Sequence, residues 1–168
     1  IRSGCRRFAH IAAPNQYFHA KNRRKGFLTA LMLNGIPADQ AVIAEGNFTC
    51  RSGYNAMVEI LDSGKTVDAV VCGNDQMAIG ALYCLKERGI RVPEDIAVAG
   101  FNDNVPASLV TPSLTTMRVP KAEMGSCAFD LFQRRNGGDQ SARIQIQLGS
   151  ELIVRQSTDA NAQTTWEL

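Results

Sequence analysis

The two histidines are the first residues to consider for chemistry, because an imidazole can act as a base, a metal ligand or a hydrogen-bonding partner near neutral pH. His10 and His19 lie nine positions apart. His10 falls within an apolar run that predicts a strand, with no second metal ligand or nucleophile beside it, so we interpret it as a hydrogen-bonded core or sheet-edge group. His19 lies in the loop or first helical turn that follows, and it is the better candidate for contact with a ligand.

The cysteines and the missing motifs argue against metal binding and catalysis. The cysteines are odd in number and form no C-x-x-C pair, which is typical of reduced, small apolar side chains in the cytosol. They are Cys5, Cys50, Cys72, Cys84 and Cys127. The sequence has no dinucleotide-binding, phosphate-loop, nucleophile-elbow or zinc-protease motif. We therefore expect no cofactor, no metal and no enzymatic activity, with a disulfide or metal framework and a Rossmann-type enzyme as the alternatives.

Composition limits the remaining classes of protein. A chain of 168 residues with 45% hydrophobic content can bury one core and at most a piece of another. Its 18 basic and 16 acidic residues are interspersed, without the long cationic run that would follow a phosphate backbone. The sequence has neither a run of roughly 18 apolar residues nor a secretory signal. We expect a cytoplasmic protein that touches no membrane and does not bind DNA through this chain.

Predicted strands alternate with predicted helices along most of the chain. The strands are expected at 7–13, 42–45, 68–72, 96–101, 114–119, 144–148 and 151–155. The helices are expected at 20–33, 52–61, 75–88 and 121–135. Asp75 is expected to cap the third helix, and the polar tail from Ser157 is expected to be frayed.

This alternation predicts the fold class. Parallel strands need long crossover connections, which the helices supply, and the continuous apolar strand at 68–72 is typical of a sheet covered on both faces. We expect an α/β three-layer sandwich with a mostly parallel sheet.

Three motifs follow one another in register from Thr66 onward: VDAVVCGNDQMAIGAL, LKERGIRVPEDIAVAGFND and TPSLTTMRVP. Together with Gly26-Phe27 and the run EGNFTCRSGY, they make the chain resemble the effector-binding core of the LacI/GalR family of bacterial transcription regulators. The resemblance covers roughly Gly4 to Thr158.

The resemblance implies a periplasmic binding protein-like type I fold of two subdomains with a small ligand in the cleft between them. Residues 1–119 would form the second subdomain, 120–149 a helix and strand of a mostly missing first subdomain, 150–157 a return strand, and 158–168 a tail. The family's helix-turn-helix and hinge helix would lie outside this chain, which we expect to have been cut from a longer protein.

The helix at 122–134 carries apolar residues at helical spacing that such a truncation would leave without a partner. They are Met124, Ala128, Leu131 and Phe132. We expect this stripe to pack on a neighbouring copy or on an abnormal face of its own domain.

The resemblance also assigns a ligand site at the carboxyl ends of the strands. It places Tyr17, His19 and Lys21 where relatives hold the ligand with an arginine or hydroxyl group, although neither Tyr17 nor His19 is the usual residue. Phe48 matches the aromatic that stacks on the ligand, with packing beneath a loop as the alternative.

Three further positions follow from the same resemblance. Asn74 matches a polar hydrogen-bonding position. Asn102 stands where many relatives carry a carboxylate, and its neutral amide makes an anionic ligand less disfavoured. Asp103 could replace that carboxylate or form an Asx-turn, and the sequence leaves both open.

One aromatic, several amides and one cation suit a sugar or sugar acid, and a nucleobase is the alternative. We expect a small-molecule effector and a homodimer, with DNA bound only through the absent N-terminal helix-turn-helix. A periplasmic sugar-binding protein of similar fold is the competing interpretation. With half of the cleft missing, the chain alone is expected to bind effector weakly or not at all.

Overall fold

One six-stranded sheet organises the chain, and the computed structural model describes residues 1, 3–138 and 144–163. The strands are β1 (Phe8–Ala12), β2 (Val42–Glu45), β3 (Ala69–Cys72), β4 (Ala97–Asn102), β5 (Thr115–Arg118) and β6 (Glu151–Ile153). The α-helices are α1 (Phe18–Leu33), α2 (Cys50–Asp62), α3 (Asp75–Glu87), α4 (Pro106–Leu109) and α5 (Lys121–Asn136), and a 3₁₀ turn covers Ala38–Gln40.

The strand order is β2-β1-β3-β4-β5-β6. The first five strands pair in parallel, and β6 runs antiparallel to β5. Because helices connect successive parallel strands, the carboxyl ends of β1 to β5 meet at one edge, here called the carboxyl edge. The α/β class and the mostly parallel sheet are therefore confirmed.

Alternate residues of β1, β3 and β4 enter two separate cores, as the period of two requires. Ala9 and Ile11 of β1 join the larger core with α2 and α3. Phe8 joins a second core with Phe27 and Leu31 of α1 on the opposite face. Helices thus cover both faces, which makes the three layers.

The helices α2 and α3 touch backbone to backbone through two glycines. A Cβ atom on Gly80 would lie 1.9 Å from the carbonyl oxygen of Cys50, and one on Gly53 would lie 2.1 Å from that of Met77. Neither distance is physically possible, so any larger residue would separate the two helices. This contact fixes where α2 and α3 begin at the carboxyl edge.

The structure confirms that His10 is a core residue whose ring is hydrogen-bonded. Its side chain is buried, its Nδ1 lies 2.7 Å from the carbonyl oxygen of Val71, and its ring stacks on Phe27 at 4.9 Å. Burial lowers the pKa of His10, which the hydrogen bond to Val71 only partly opposes. His10 is therefore held neutral inside the sheet.

Three local predictions are wrong. Residues 144–148 form no strand, because no described strand runs beside them to supply the hydrogen bonds of a ladder. Asn74, not Asp75, is the N-cap of α3, and its side-chain oxygen accepts from the backbone N–H of Met77 at 2.9 Å. The tail is not frayed at Ser157, which is fully buried and donates its hydroxyl to the carbonyl oxygen of Val98 at 2.6 Å. The predicted tail also includes 164–168, which lie outside the described residues.

The helix α5 buries none of its residues. Met124, Phe129 and Phe132 are each more than half exposed. The apolar stripe expected there therefore has no covering surface within the described ranges, and residues 139–143 of the same predicted segment lie outside them.

No helix in the described ranges is long and apolar enough to cross a membrane.

Candidate ligand-binding site

The loops at the carboxyl edge bring most of the predicted site residues together. Tyr17 follows β1, Phe48 follows β2, Asn74 follows β3 and Asn102 ends β4. Since these four strands are parallel, the segments that leave them meet along one side of the sheet. Residues that are far apart in sequence thus form one polar and aromatic rim.

Three aromatic rings make up one end of this rim. The ring of Phe48 lies 5.4 Å from that of Tyr17 and 5.5 Å from that of His19, and the Tyr17 and His19 rings are 5.7 Å apart. Phe48 has a φ of 71°, a left-handed conformation that is unusual for a bulky residue and holds its ring in this cluster. Tyr17 is 43% exposed, so the cluster presents aromatic surface to solvent. Such a surface can stack on the apolar face of a sugar or on a planar ring.

Asn74 connects the aromatic cluster to α3. In addition to capping that helix, its side-chain N–H₂ donates to the carbonyl oxygen of Phe48 at 2.9 Å. The residue is 8% exposed. Asn74 therefore holds the strained Phe48 loop in place.

The buried carboxylate of Asp75 ties the next loop to the same edge. It accepts from the hydroxyl of Thr116 on β5 and from the backbone N–H of Asn104 at 2.8 Å. With 1% exposure it is closed to solvent. Its role is to fix the loop that follows Asn102.

Asn102 and Asp103 make a sharp bend where β4 ends. Both have left-handed backbone angles, with φ of 118° and 53°. This bend turns the Asn102 side chain towards α1, where its oxygen accepts from Arg23 at 3.4 Å. The strain of two consecutive positive φ values is concentrated where ligand contact is expected.

Asp103 forms a double ion pair in place of an Asx-turn. Its Oδ2 lies 2.7 Å from Nε of Arg118, and its Oδ1 lies 2.8 Å from Nη1 of Arg155. Burial raises the pKa of Asp103, but hydrogen bonds from Arg155 and Arg118 outweigh burial and leave the pKa lowered. The carboxylate therefore joins the β4 loop to the end of β5 and to the segment after β6.

Arg23 is a site residue that the sequence analysis missed. Its guanidinium lies 3.8 Å from the centre of the Phe101 ring, and its Nη1 donates to the carbonyl oxygen of Gly73 at 2.6 Å. The sequence spacing could have indicated Arg23, because it comes three residues after Ala20 and four before Phe27, and residues at this spacing share one face of a helix. Ala20 and Phe27 are both buried in α1. Arg23 therefore lies on the buried face of α1.

Lys21 is exposed and lies two residues from Arg23 on α1. Two residues are about 200° apart around a helix, so these two cations project from nearly opposite sides of α1. The cation that meets the rim is thus Arg23.

A groove of about 650 Å³ opens beside α1 on the same face of the sheet as Arg23. Arg23, His19, Phe101 and Met117 line it. Within the described residues, no group of three or more histidine, cysteine, aspartate or glutamate side chains is arranged to hold a metal ion.

Comparison with known proteins places these features in a family. A family model of the periplasmic binding protein-like domain matches residues 1–158. The HTH-type transcriptional regulator CelR of Thermobifida fusca is 36% identical over 157 residues, which are 94% of this chain and 46% of that protein. The HTH-type transcriptional repressor PurR of Photorhabdus laumondii is 35% identical over 157 residues, with the same two shares.

Solved structures give the same result. A complex of the regulator CelR with cellobiose superposes with a TM-score of 0.89 at 36% identity, covering 93% of this chain and 48% of that one. A dimeric Lac repressor with a C-terminal deletion superposes with a TM-score of 0.86 at 30% identity, covering 94% of this chain and 57% of that one. The chain spans about half the length of the curated relatives it matches.

Proposed function

Because this chain belongs to the periplasmic binding protein-like domain family and resembles LacI-family regulators over most of its length, we propose that it is the effector-sensing portion of a bacterial DNA-binding transcription regulator. The observation that carries the proposal is the rim at the carboxyl edge of a parallel sheet, where Arg23 bonds to Asn102 and to Gly73, and the adjacent Asn74 bonds to Phe48. Ligands of open α/β sheets bind outside this edge.

The proposed effector is a sugar or sugar acid. The aromatic cluster offers a flat apolar surface, and amide and guanidinium groups beside it offer hydrogen bonds to a hydroxyl-rich rim. Cellobiose in complex with the related CelR is a ligand of this kind. The site residues proposed to contact effector are Tyr17, His19, Phe48, Asn102 and Arg23, with Asn74 and Asp103 holding the loops that carry them.

The rest of the sensor would come from outside this chain. We propose that a first subdomain closes the cleft from the opposite side and covers α5. Residues 120–149 would belong to that first subdomain. Residues 1–119 would form the second subdomain, with 150–157 returning to it. A helix-turn-helix in the remaining length would bind DNA, and two copies would form a homodimer in the cytoplasm.

The mechanism would be a shift between two arrangements of the subdomains. An effector moves that balance only by the difference in its affinity for the two arrangements. Arg118 and Arg155 lie on the segments that would cross between subdomains, and both pair with Asp103 beside Asn102. The ligand site and the crossover segments are thus adjacent. The proposed mechanism is binding alone and needs no catalytic group.

Calorimetry and operator binding on the complete protein test this function together. We expect a sugar or sugar acid to bind and to change the affinity for operator DNA. Phe48→Ala removes the stacking surface and should weaken effector binding about tenfold or more. Tyr83→Ala is the matched control, because Tyr83 is an exposed aromatic of α3 outside the rim.

Two results would contradict the proposal. Equal losses of affinity in Phe48→Ala and Tyr83→Ala would remove the rim as the binding site. A complete protein that binds sugar but never DNA would instead favour a sugar-binding protein of the periplasmic type.

A further inference from the structure

The positive charge of Arg23 is held at the rim by neutral partners. Its Nη1 donates to the carbonyl oxygen of Gly73, and its Nη2 donates to the side-chain oxygen of Asn102. The central carbon of the guanidinium lies over the Phe101 ring, 3.8 Å from its centre, within the range of a cation–π interaction. Arg23 is therefore a half-buried, oriented cation in contact with carbonyl, amide and aromatic groups.

No carboxylate in the described part of the chain lies within 4.0 Å of that guanidinium. The two acids nearest to the rim are committed elsewhere. Asp75 accepts from Thr116 and from the backbone of Asn104, and Asp103 pairs with two other arginines. Burial lowers the pKa of Arg23, and the charge of Asp75 opposes this only partly. Arg23 thus has no carboxylate in direct contact within the described residues, and the charge of Asp75 acts on it from beyond ion-pair distance.

The guanidinium also has hydrogen-bonding capacity left over. It carries five N–H donors, and the structure uses two of them. The bond to Asn102 is long at 3.4 Å, so a better acceptor could replace it. A planar carboxylate or a phosphate matches the geometry of the donors that remain.

We propose that the effector carries an anionic group, a carboxylate or a phosphate, that pairs with Arg23, and that the neutral Asn102 determines this preference. The inference rests on the proposed function, because it assigns a chemical class to the ligand of the same rim. An aspartate at position 102 would neutralise the guanidinium from inside the protein and repel an anion. The amide leaves Arg23 without a carboxylate in direct contact and can itself donate to a ligand oxygen through its N–H₂.

The groove beside α1 has room for such a ligand. Its volume of about 650 Å³ lies in the range typical of small-molecule sites. His19 belongs both to the groove and to the aromatic cluster, whereas Tyr17 and Phe48 are not among the lining residues. The sugar ring would therefore rest on the cluster beside the groove, while Arg23 would bind the acidic substituent.

The test uses the complete protein and two sets of probes. The first set comprises glucose, gluconate, glucuronate and glucose 6-phosphate, measured by calorimetry. The second is inorganic phosphate alone, measured by its effect on the thermal unfolding midpoint. We expect at least one acidic sugar to bind more tightly than glucose, and phosphate to raise the midpoint of the wild-type protein. Carboxylate and phosphate probes then distinguish the two sources of anionic charge.

The decisive variant is Asn102→Asp, which adds a counter-charge beside Arg23 without removing volume. It should weaken binding of the acidic sugar about tenfold or more relative to its effect on glucose, and it should abolish the phosphate effect. Asn102→Ala is the control for loss of the amide, and it should retain the preference for acids. Arg23→Met should lose that preference, with circular dichroism to check folding.

The outcomes separate this inference from the proposed function. If glucose binds more tightly than its acids and Asn102→Asp changes neither affinity, the anionic preference is refuted while the sensor function stands. If phosphate shifts the wild-type midpoint but no sugar of either kind binds, the anion site stands and the sugar-sensing function fails. A phosphate effect that persists in both Asn102→Asp and Arg23→Met would place the anion elsewhere and overturn the inference.

Discussion

Replacing Asp103 with asparagine is expected to destabilise the protein strongly, because it leaves a buried cation without its partner. Arg155 is 4% exposed, and its Nη1 lies 2.8 Å from the Asp103 carboxylate. The same Nη1 also donates to the carbonyl oxygen of Leu114 at 2.9 Å, and Nε has no hydrogen-bond partner among the described residues. The variant keeps the size of the side chain and removes its charge.

The magnitude follows from burial. Removing one partner of a buried ion pair costs about 3–5 kcal/mol, since the remaining charge stays desolvated. The pair with Arg118, whose side chain is 32% exposed, adds at most about 1 kcal/mol. A retained hydrogen bond from Arg155 to the asparagine oxygen reduces the loss, so we expect about 3 kcal/mol for Asp103→Asn. This is a large part of the roughly 5–15 kcal/mol that stabilises a typical domain.

The pH dependence provides a second measurement. The folded pKa of Asp103 is lowered below its unfolded value of about 3.9, so its contribution to stability is complete above that value. The contribution is lost as the pH falls through the folded pKa. The difference in stability between wild type and Asp103→Asn should therefore be constant near neutral pH and shrink below about pH 4.

Urea unfolding at pH 7 is the assay, and Asp95→Asn is the matched control. Asp95 also forms a two-pronged pair with an arginine, but that pair lies on an exposed turn, so its loss should leave the unfolding midpoint nearly unchanged. Arg155→Met in the Asp103→Asn background should recover part of the loss by removing the unpaired charge. A loss below about 1 kcal/mol for Asp103→Asn, or no recovery in the double variant, would refute this reasoning.

Three smaller predictions concern the supporting fold. Gly80→Ala should lower the free energy of unfolding in urea by about 1–3 kcal/mol, because the added methyl group forces α2 and α3 apart. Gly125→Ala, in open space on α5, should be neutral or slightly stabilising. Equal effects of the two substitutions would contradict the close contact at Gly80. As the pH falls below about 6.5, the free energy of unfolding should decrease more in the wild type than in His10→Gln, because the lowered pKa of His10 in the folded protein favours its neutral form. Parallel plots of unfolding free energy against pH for the two proteins would refute this prediction. Exposed Cys50 should react with a thiol reagent in the native state, whereas Cys72, buried and with a raised pKa, should react only on unfolding, as time-resolved mass spectrometry would show.

Local patterns determined the architecture. Apolar strands between helices of three or more turns permit only a parallel sheet with covered faces, and glycines after α1 and α3 marked the ends of those helices. These glycines, Gly35 and Gly89, both have a positive φ, the left-handed conformation that commonly ends a helix. The sequence likewise predicted that loops after β2, β3 and β4 would meet, because that follows from parallel topology alone.

Only the tertiary structure decided which partner each polar side chain takes. Asp103 could have served a ligand or a turn by its sequence, and two arginines from distant segments bind it instead. In the sequence, Arg23 is one of several basic residues in α1, and only the fold shows that it contacts Phe101 and Asn102. Periodicity is a property of neighbouring residues and can be seen in one sequence, whereas the pairing of buried charges depends on strands and helices that only folding brings together.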